Sequence, residues 1–298
     1  MTPAPDMSLA HAMMERVDLD AGLPASAILS TVDVGSVSLA VADMPASGTQ
    51  RGVALMIPGF TSSRSTFYPL FQMLADQGFR VVSFSQRGQP GSTGGDATSD
   101  YSLPALGSDV HKLADALELG SNIHLLGHSF GGVVGIETVV QNPARFASFT
   151  MWNSGPDSLG EPIRQSIGAV QAYGARGLWL GEAQMAGLDP NSDLTGELDE
   201  MQAFRYTRLM LTNPAQLEAG LTHLYEHRDR SSELRDAGLP MLISHGANDD
   251  AWPIESQRLF AQRLDADYWV VANAGHSAHA DRPETSAALL GAFWSTLA

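Results

Sequence analysis

Short apolar runs alternate with stretches of helical periodicity along most of the chain. Before this pattern begins, Ile28–Val34 and Val37–Val41 alternate apolar with small or polar residues around Gly35, which predicts a hairpin. Continuous apolar runs between helices are typical of parallel strands buried on both faces, so the alternation predicts an α/β fold with a mostly parallel, doubly covered sheet of about eight strands. The first predicted strands are Val53–Ile57, Val81–Phe84, Ile123–Leu126 and Phe146–Trp152, separated by the predicted helices Phe67–Gln77, Leu103–Leu119 and Gly131–Gln141.

The alternation is interrupted once, between Gly155 and about Ser232. Only helical patterns occur there, over Glu161–Tyr173, Glu197–Leu211 and Pro214–Arg228. Strand and helix patterns then return as Met241–Ser244, Glu255–Leu264, Tyr268–Val271 and Pro283–Leu297. We therefore predict an α/β core formed by residues 24–155 and 233–298, with a helical insertion over residues 156–232 that lies on the sheet. Residues 1–23, with a helical pattern over Met7–Arg16, are predicted to form an N-terminal arm.

One short motif gives the first indication of chemistry. Gly127, Ser129 and Gly131 form a G-x-S-x-G sequence that directly follows an apolar strand pattern and directly precedes a helix pattern. A serine on such a sharp turn crowds its neighbours two positions away, which favours residues without side chains there. The start of the helix also directs backbone N–H groups towards the serine. Ser129 is thus the candidate nucleophile.

A serine hydroxyl needs a base that removes its proton and an acid that orients the base. His276 follows the last predicted strand, and Asp249 follows the strand before it. Asp250 and His279 are the neighbouring alternatives for the acid and the base. Asp250 is interpreted as a solvated loop carboxylate and His279 as a surface or pocket-rim residue.

A developing oxyanion needs two backbone donors. One is the N–H of Phe130, directly after the candidate nucleophile. The other is predicted to come from the loop after the strand Val53–Ile57, where Phe60 is the candidate and Gly59 lets the backbone bend closely.

Taken together, these motifs resemble the α/β-hydrolase superfamily, in its serine-nucleophile branch with a helical cap domain. The order Ser129, Asp249, His276 is the order of that fold. The resemblance covers about residues 27–298 apart from the insertion, and it implies that the insertion is the cap. Two positions depart from the usual family sequence: Pro58 stands where a histidine is common, and Ser85 where an aspartate is common. The matching residues outside the G-x-S-x-G motif are His245, Gly246, Asp249 and Pro253 around the acid, Gly275, His276, Pro283 and Glu284 around the base, and Arg87, Gly88 and Ser92 after the second core strand.

The composition narrows the possible partners. Hydrophobic residues make up 44% of the 298 positions and charged residues 17%, enough apolar sequence for a sizeable core. The formal net charge of −16 disfavours binding to nucleic acid or to anionic membranes. The absence of cysteine excludes disulfides and thiolate metal sites. No secretion signal is recognised, so a cytoplasmic location is the default expectation. The sequence does not indicate an oligomeric state.

The expected reaction is hydrolysis of a carboxylic ester, lactone or thioester of an apolar small molecule through an acyl-enzyme, with no metal or cofactor. The same triad would also serve a C–C bond hydrolase acting on a diketone, or a small-molecule receptor with vestigial hydrolysis. A formal H-x-x-E-H match at His223–His227 in the insertion is interpreted as a solvated helix face rather than a zinc site. Apolar residues of the insertion are expected to line the pocket and to favour apolar substrates over anions; they are Ile163, Ile167, Leu178, Trp179, Leu180, Leu209 and Leu211.

Overall fold

A computed structural model of the chain describes residues 8–297. Its centre is an eight-stranded sheet in the order β1-β2-β4-β3-β5-β6-β7-β8. Strand β2 pairs antiparallel with β1 and β4, and the remaining neighbours pair in parallel. The predicted hairpin and parallel strands are therefore confirmed. The strands are β1 Ile28–Asp33, β2 Ser38–Met44, β3 Gly52–Ile57, β4 Phe79–Phe84, β5 Ile123–His128, β6 Phe146–Trp152, β7 Met241–Gly246 and β8 Asp267–Val271.

Helices cover both faces of this sheet. They are α1 Ser8–Arg16, α2 Tyr68–Asp76, α3 Leu103–Ala116, α4 Phe130–Gln141, α5 Glu161–Tyr173, α6 Ala175–Met185, α7 Ser192–Thr195, α8 Glu200–Met210, α9 Pro214–Glu226, α10 Ser231–Ala237, α11 Ile254–Leu264, α12 Ala278–Asp281 and α13 Pro283–Ser295. Short 3₁₀ turns occupy Arg64–Phe67, Thr98–Tyr101 and Pro143–Arg145. One apolar cluster joins α3, α4 and α11 to the sheet, and a second joins α2 and α13 to its opposite face. The sequence prediction of a doubly covered sheet is thus confirmed.

Strands β3 and β5 are buried along their whole length, and so is β7. This explains why they read as continuous apolar runs instead of alternating patterns. Their carboxyl ends lie at the same edge of the sheet, where loops from separate parts of the sequence meet. That edge positions the candidate site.

Between β6 and β7 the chain forms helices and no strand, as the sequence predicts. Helices α5, α6, α8 and α9 share an apolar cluster of their own, centred on Trp179, Tyr206, Leu209 and Leu217. Helix α6 was not predicted from the sequence, because Gly174, Gly177 and Gly181 interrupt its apolar pattern. A Cβ at Gly177 would lie 2.2 Å from the Ala169 carbonyl oxygen, so this glycine allows α5 and α6 to pack closely. Helix α10 packs against α4 and α11 instead.

The N-terminal arm contains α1, which packs on α7 and α8 of the insertion. The predicted helical start at Met7 lies outside the described residues. Beyond the helix, Asp20 accepts hydrogen bonds from Arg64 and Tyr68 of the core. No helix within residues 8–297 is long and apolar enough to cross a bilayer.

Candidate active site

Ser129 occupies a sharp turn between β5 and α4. Its backbone angles, φ 54° and ψ −123°, lie in a region that residues other than glycine rarely adopt. A Cβ at Gly127 would be 2.3 Å from the Gly131 carbonyl oxygen, which is the crowding that the sequence motif predicts. A Cβ at Gly131 would instead clash with the Ile57 carbonyl of neighbouring β3, at 2.2 Å. The two glycines are therefore required by different neighbours.

The structure brings the three predicted triad residues together. The Ser129 hydroxyl lies 2.9 Å from His276 Nε2, and His276 Nδ1 lies 2.8 Å from Asp249 Oδ1. The side chains come from the ends of β5, β7 and β8, which explains how residues far apart in sequence meet. The Asp249 side chain is fully buried and the His276 side chain is 27% exposed. The arrangement suits proton transfer from the hydroxyl to the imidazole.

Two side chains that the sequence analysis missed hold the Asp249 carboxylate. Asn153 Nδ2 donates to Oδ2 at 3.1 Å, and Gln257 Nε2 donates to the same oxygen at 3.2 Å. The Ala251 N–H donates to Oδ1 at 3.1 Å. Burial by itself would raise the pKa of the Asp249 carboxyl, but the hydrogen bond and charge of His276, with the hydrogen bonds from Ala251 and Asn153, lower the pKa below its usual value. Asp249 is thereby kept ionised.

Asn153 had a usable signal in the sequence, because it directly follows β6 at the edge of the sheet where the triad lies. Its Nδ2 also donates to the Gly275 carbonyl at 3.0 Å, next to the candidate base. Gln257 lies inside α11 and had no comparable signal.

The alternative residues do not take part in this arrangement. Asp250 is exposed and does not contact the imidazole. His279 was interpreted as a surface or pocket-rim residue, and that interpretation is wrong: its side chain is completely buried and lies 3.3 Å from the Thr66 hydroxyl. His279 lies on α12, three residues after His276, and the turn of this short helix directs the His279 ring inwards against Phe67.

His128 and His279 form a buried histidine pair beside the candidate base. Their ring centroids are 4.6 Å apart, and His128 Nε2 donates to the His276 carbonyl oxygen at 2.9 Å. Burial, followed by the charges of neighbouring groups, lowers the pKa of His128 well below its ordinary value and that of His279 to about 3. Both rings are therefore neutral near pH 7. His245 bonds to the Gly246 carbonyl and to the Tyr268 hydroxyl.

The two predicted oxyanion donors belong to residues close to the serine: Phe130 follows it in the chain, and Phe60 follows Gly59 in the loop that runs against it. Phe60 and Phe130 pack edge to face with ring centroids 6.5 Å apart, and neither backbone N–H has an acceptor among the described residues. A Cβ at Gly59 would lie 3.1 Å from the Ser129 Cβ, so the loop after β3 runs directly against the serine. Two free N–H groups next to a hydroxyl match the requirement of an oxyanion site.

Two buried glutamines, also missed in the sequence, fix this loop. Gln86 Nε2 donates to the Pro58 carbonyl and Gln89 Nε2 donates to the Gly59 carbonyl, each at 2.8 Å. The Gly59 carbonyl belongs to the same peptide unit as the Phe60 N–H. Because that unit is planar and trans, holding the carbonyl on one side directs the N–H to the other. Gln89 thus orients a predicted oxyanion donor.

Helix α9 of the insertion packs against the two residues that are the predicted oxyanion donors. Ser129 is 9% exposed, and a Cβ at Gly220 of α9 would lie 3.0 Å from the Phe60 ring. His223 of α9 stacks on Phe130 with centroids 6.3 Å apart. Of the apolar residues expected to line the pocket, Trp179 and Leu209 are buried within the insertion itself, whereas Leu211 is 50% exposed.

The interpretation of the formal H-x-x-E-H match as a solvated helix face is wrong, because His227 is buried. His223 Nε2 bonds to the Tyr101 carbonyl and His227 Nε2 bonds to the Gly155 carbonyl. The two histidines therefore attach the insertion to the core at separate points, and His227 lies beyond the end of α9.

Residues 54–289 match the model of the alpha/beta hydrolase family. The chain belongs to this family. It is 28% identical over 245 residues to RutD of Caulobacter vibrioides, named as a carbamate hydrolase, an alignment covering 79% of this chain and 87% of the relative. It is 26% identical over 214 residues to 3-oxoadipate enol-lactonase 1 of Acinetobacter baylyi, covering 69% of this chain and 75% of the relative.

Solved structures share the fold at lower sequence identity. The enol-lactonase from Burkholderia xenovorans superposes with a TM-score of 0.74 at 18% identity, covering 90% of this chain and all of that one. An esterase from Thermogutta terrifontis superposes with a TM-score of 0.71 at 22% identity, covering 92% of this chain and 99% of that one.

Proposed function

We propose that this chain is a serine hydrolase that cleaves an ester, lactone or thioester of a small molecule through an acyl-enzyme. The observation that carries the proposal is the continuous hydrogen-bond chain from Ser129 through His276 to Asp249, with distances of 2.9 and 2.8 Å. A nucleophile, a base and an orienting acid in this order are what acyl transfer requires.

In the proposed mechanism each group has one role. Ser129 Oγ attacks the acyl carbon while His276 Nε2 takes the hydroxyl proton, and Asp249 stabilises the imidazolium. The carbonyl oxygen becomes an oxyanion that accepts hydrogen bonds from the N–H groups of Phe60 and Phe130. When the intermediate collapses, the bond to the leaving oxygen or sulfur breaks and His276 returns the proton to the leaving group. Water then repeats the sequence on the acyl-enzyme and releases the acid.

The names of the relatives support this class of reaction. A carbamate hydrolase, an enol-lactonase and an esterase all hydrolyse a bond at a carbonyl carbon. Residues 156–232 are proposed to act as the cap, because α9 packs on Phe60 and Phe130 and Ser129 is almost inaccessible beneath it. Excluding bulk water strengthens the hydrogen bonds and charge interactions that stabilise the oxyanion.

The test is a steady-state rate screen of the wild-type chain and Ser129→Ala over aryl and alkyl esters, lactones, thioesters, carbamates and diketones. We expect steady turnover of at least one ester, lactone or thioester by the wild type, and turnover at the uncatalysed background by the variant. Turnover of diketones alone would replace the proposal with C–C bond hydrolysis. A single burst followed by almost no turnover would favour a receptor.

A further inference from the structure

One arginine differs from every other inward-lying arginine of the chain. Within residues 8–297, each other arginine that is at least partly buried pairs with a carboxylate; these pairs are Arg64–Asp20, Arg80–Asp43, Arg87–Asp109, Arg145–Asp115, Arg176–Asp193, Arg230–Glu137 and Arg258–Glu255. Arg208 is partly buried and has no carboxylate partner in the described part of the chain. Its Nε is inaccessible and makes no hydrogen bond there. A buried guanidinium nitrogen without an acceptor is costly unless something else supplies one.

The fold places Arg208 beside the candidate site. Arg208 lies in the last turn of α8, and three residues after that helix the Asn213 N–H donates to the Gly88 carbonyl at 2.7 Å. The following helix, α9, approaches the Phe60 ring through Gly220. The C-terminal end of α8 therefore lies at the loops that surround Ser129.

The electrostatics support this placement. After burial, the positive charge of Arg208 is one of the causes that lower the pKa of both His128 and His279, the histidine pair beside His276. This influence agrees with the position of the C-terminal end of α8 at the loops around Ser129. Because both histidines are neutral near pH 7, neither contributes charge of its own at this side of the site.

The neighbours of Arg208 among the described residues supply no carboxylate in direct contact with it. Glu182 of α6 is the carboxylate that acts on it, but the two side chains form no ion pair, and burial raises the pKa of Glu182. Two further neighbours of Arg208 are Arg205, which adds positive charge, and the Phe204 ring, whose centroid is 5.4 Å from the guanidinium carbon. An aromatic face suits a planar guanidinium and leaves its N–H edge free to bind.

We infer that Arg208 is an anion-binding residue of the substrate pocket, and that the preferred substrate carries a carboxylate on the part of the molecule that is not attacked. This inference rests on the proposed function. It changes the sequence-based expectation of a purely apolar substrate to a molecule with an apolar body and an anionic end. A fork of N–H donors can bind a carboxylate through both oxygens and so fix the scissile carbonyl relative to Ser129.

The first test measures binding without turnover. In the Ser129→Ala background, calorimetry compares the monomethyl and dimethyl esters of succinate, glutarate and adipate, which differ within each pair in the charge of one end. We expect at least one monoester to bind about tenfold or more tightly than its diester, and Arg208→Gln to remove that preference. Arg205→Gln is the matched control: it removes the same charge from an exposed position on the same helix and should keep the preference. No preference at any chain length, or an equal loss in both variants, would overturn the inference.

The second test measures kcat/KM for the same pairs with Ser129 intact. The ratio of monoester to diester should fall about 10- to 100-fold in Arg208→Gln, mainly through KM, and recover in part in Arg208→Lys. If monoester binding depends on Arg208 but the wild-type chain hydrolyses no ester, lactone or thioester in the rate screen, the proposed function fails while the anion site stands. If diesters are hydrolysed as well as monoesters in every variant, the proposed function stands and the anion site is refuted.

Discussion

Replacing Asp249 by asparagine keeps the shape of the side chain but turns one acceptor oxygen into an NH₂ donor. In the structure both oxygens accept. Oδ1 accepts from the His276 ring and the Ala251 N–H, and Oδ2 accepts from Asn153 and Gln257. In either orientation, the new NH₂ group therefore faces two donors.

Each orientation has a different cost. With the NH₂ group towards His276, the imidazole must accept through Nδ1 and carry its proton on Nε2, so it can no longer take the Ser129 proton. With the group towards Asn153 and Gln257, two buried amide donors lose an acceptor, at about 1–3 kcal/mol each. The first orientation inactivates the base, and we expect kcat to fall about 10⁴-fold, or about 5 kcal/mol of transition-state stabilisation.

The assay is kcat for one ester substrate, with the thermal midpoint measured in parallel. Asp250→Asn is the matched control, because Asp250 is adjacent and exposed; its kcat should stay within about twofold of the wild type, as for most surface changes away from a site. A larger loss in Asp250→Asn than in Asp249→Asn would show that the acid has been misassigned.

Three further predictions test other parts of the account. His276→Ala should lower kcat by about the same factor as Ser129→Ala, because the two groups act as a unit, and a mild effect in single-substrate kinetics would argue against the base assignment. Gln89→Leu should lower kcat about tenfold with little change in KM, since it releases the Gly59–Phe60 peptide; an effect confined to KM would contradict that role. Burial lowers the pKa of His124 to about 4 and, with nearby charges, that of His279 to about 3, so the unfolded chain takes up protons near pH 6.5 when the folded one does not. The contribution of these histidines to the free energy of unfolding is therefore complete above about pH 6.5 and decreases below it. We expect a decrease of about 1 kcal/mol per histidine between about pH 7.5 and about pH 5.5. Urea unfolding at both pH values measures the change, and equal free energies of unfolding would refute the prediction.

The sheet and the predicted triad were accessible from the sequence because each depends on local patterns. Strands β3, β5 and β7 are buried throughout and read as unbroken apolar runs. Ser129 is marked by glycines that its neighbours require sterically. Asp249 and His276 each follow a recognisable strand.

The residues that were missed act through the tertiary fold. Gln257 reaches Asp249 from inside a helix, and Gln89 reaches the Gly59 carbonyl across thirty positions. Nothing local distinguishes them from surface glutamines. The buried position of His279 depends on how α12 turns inwards, and the isolation of Arg208 depends on which carboxylates other helices place near it. Helix α6 was not predicted because glycines, one of which allows close packing against α5, interrupt its apolar periodicity.

The most direct test of the central claim is covalent labelling with an organophosphonate, followed by peptide mass spectrometry. The reagent reports which serine is activated, independently of any natural substrate. We predict one adduct per chain, located on Ser129, formed in step with loss of esterase activity and absent from Ser129→Ala. Labelling of a different serine together with loss of activity, or a wild-type chain that hydrolyses esters and stays both active and unlabelled after treatment with the reagent, would contradict the account.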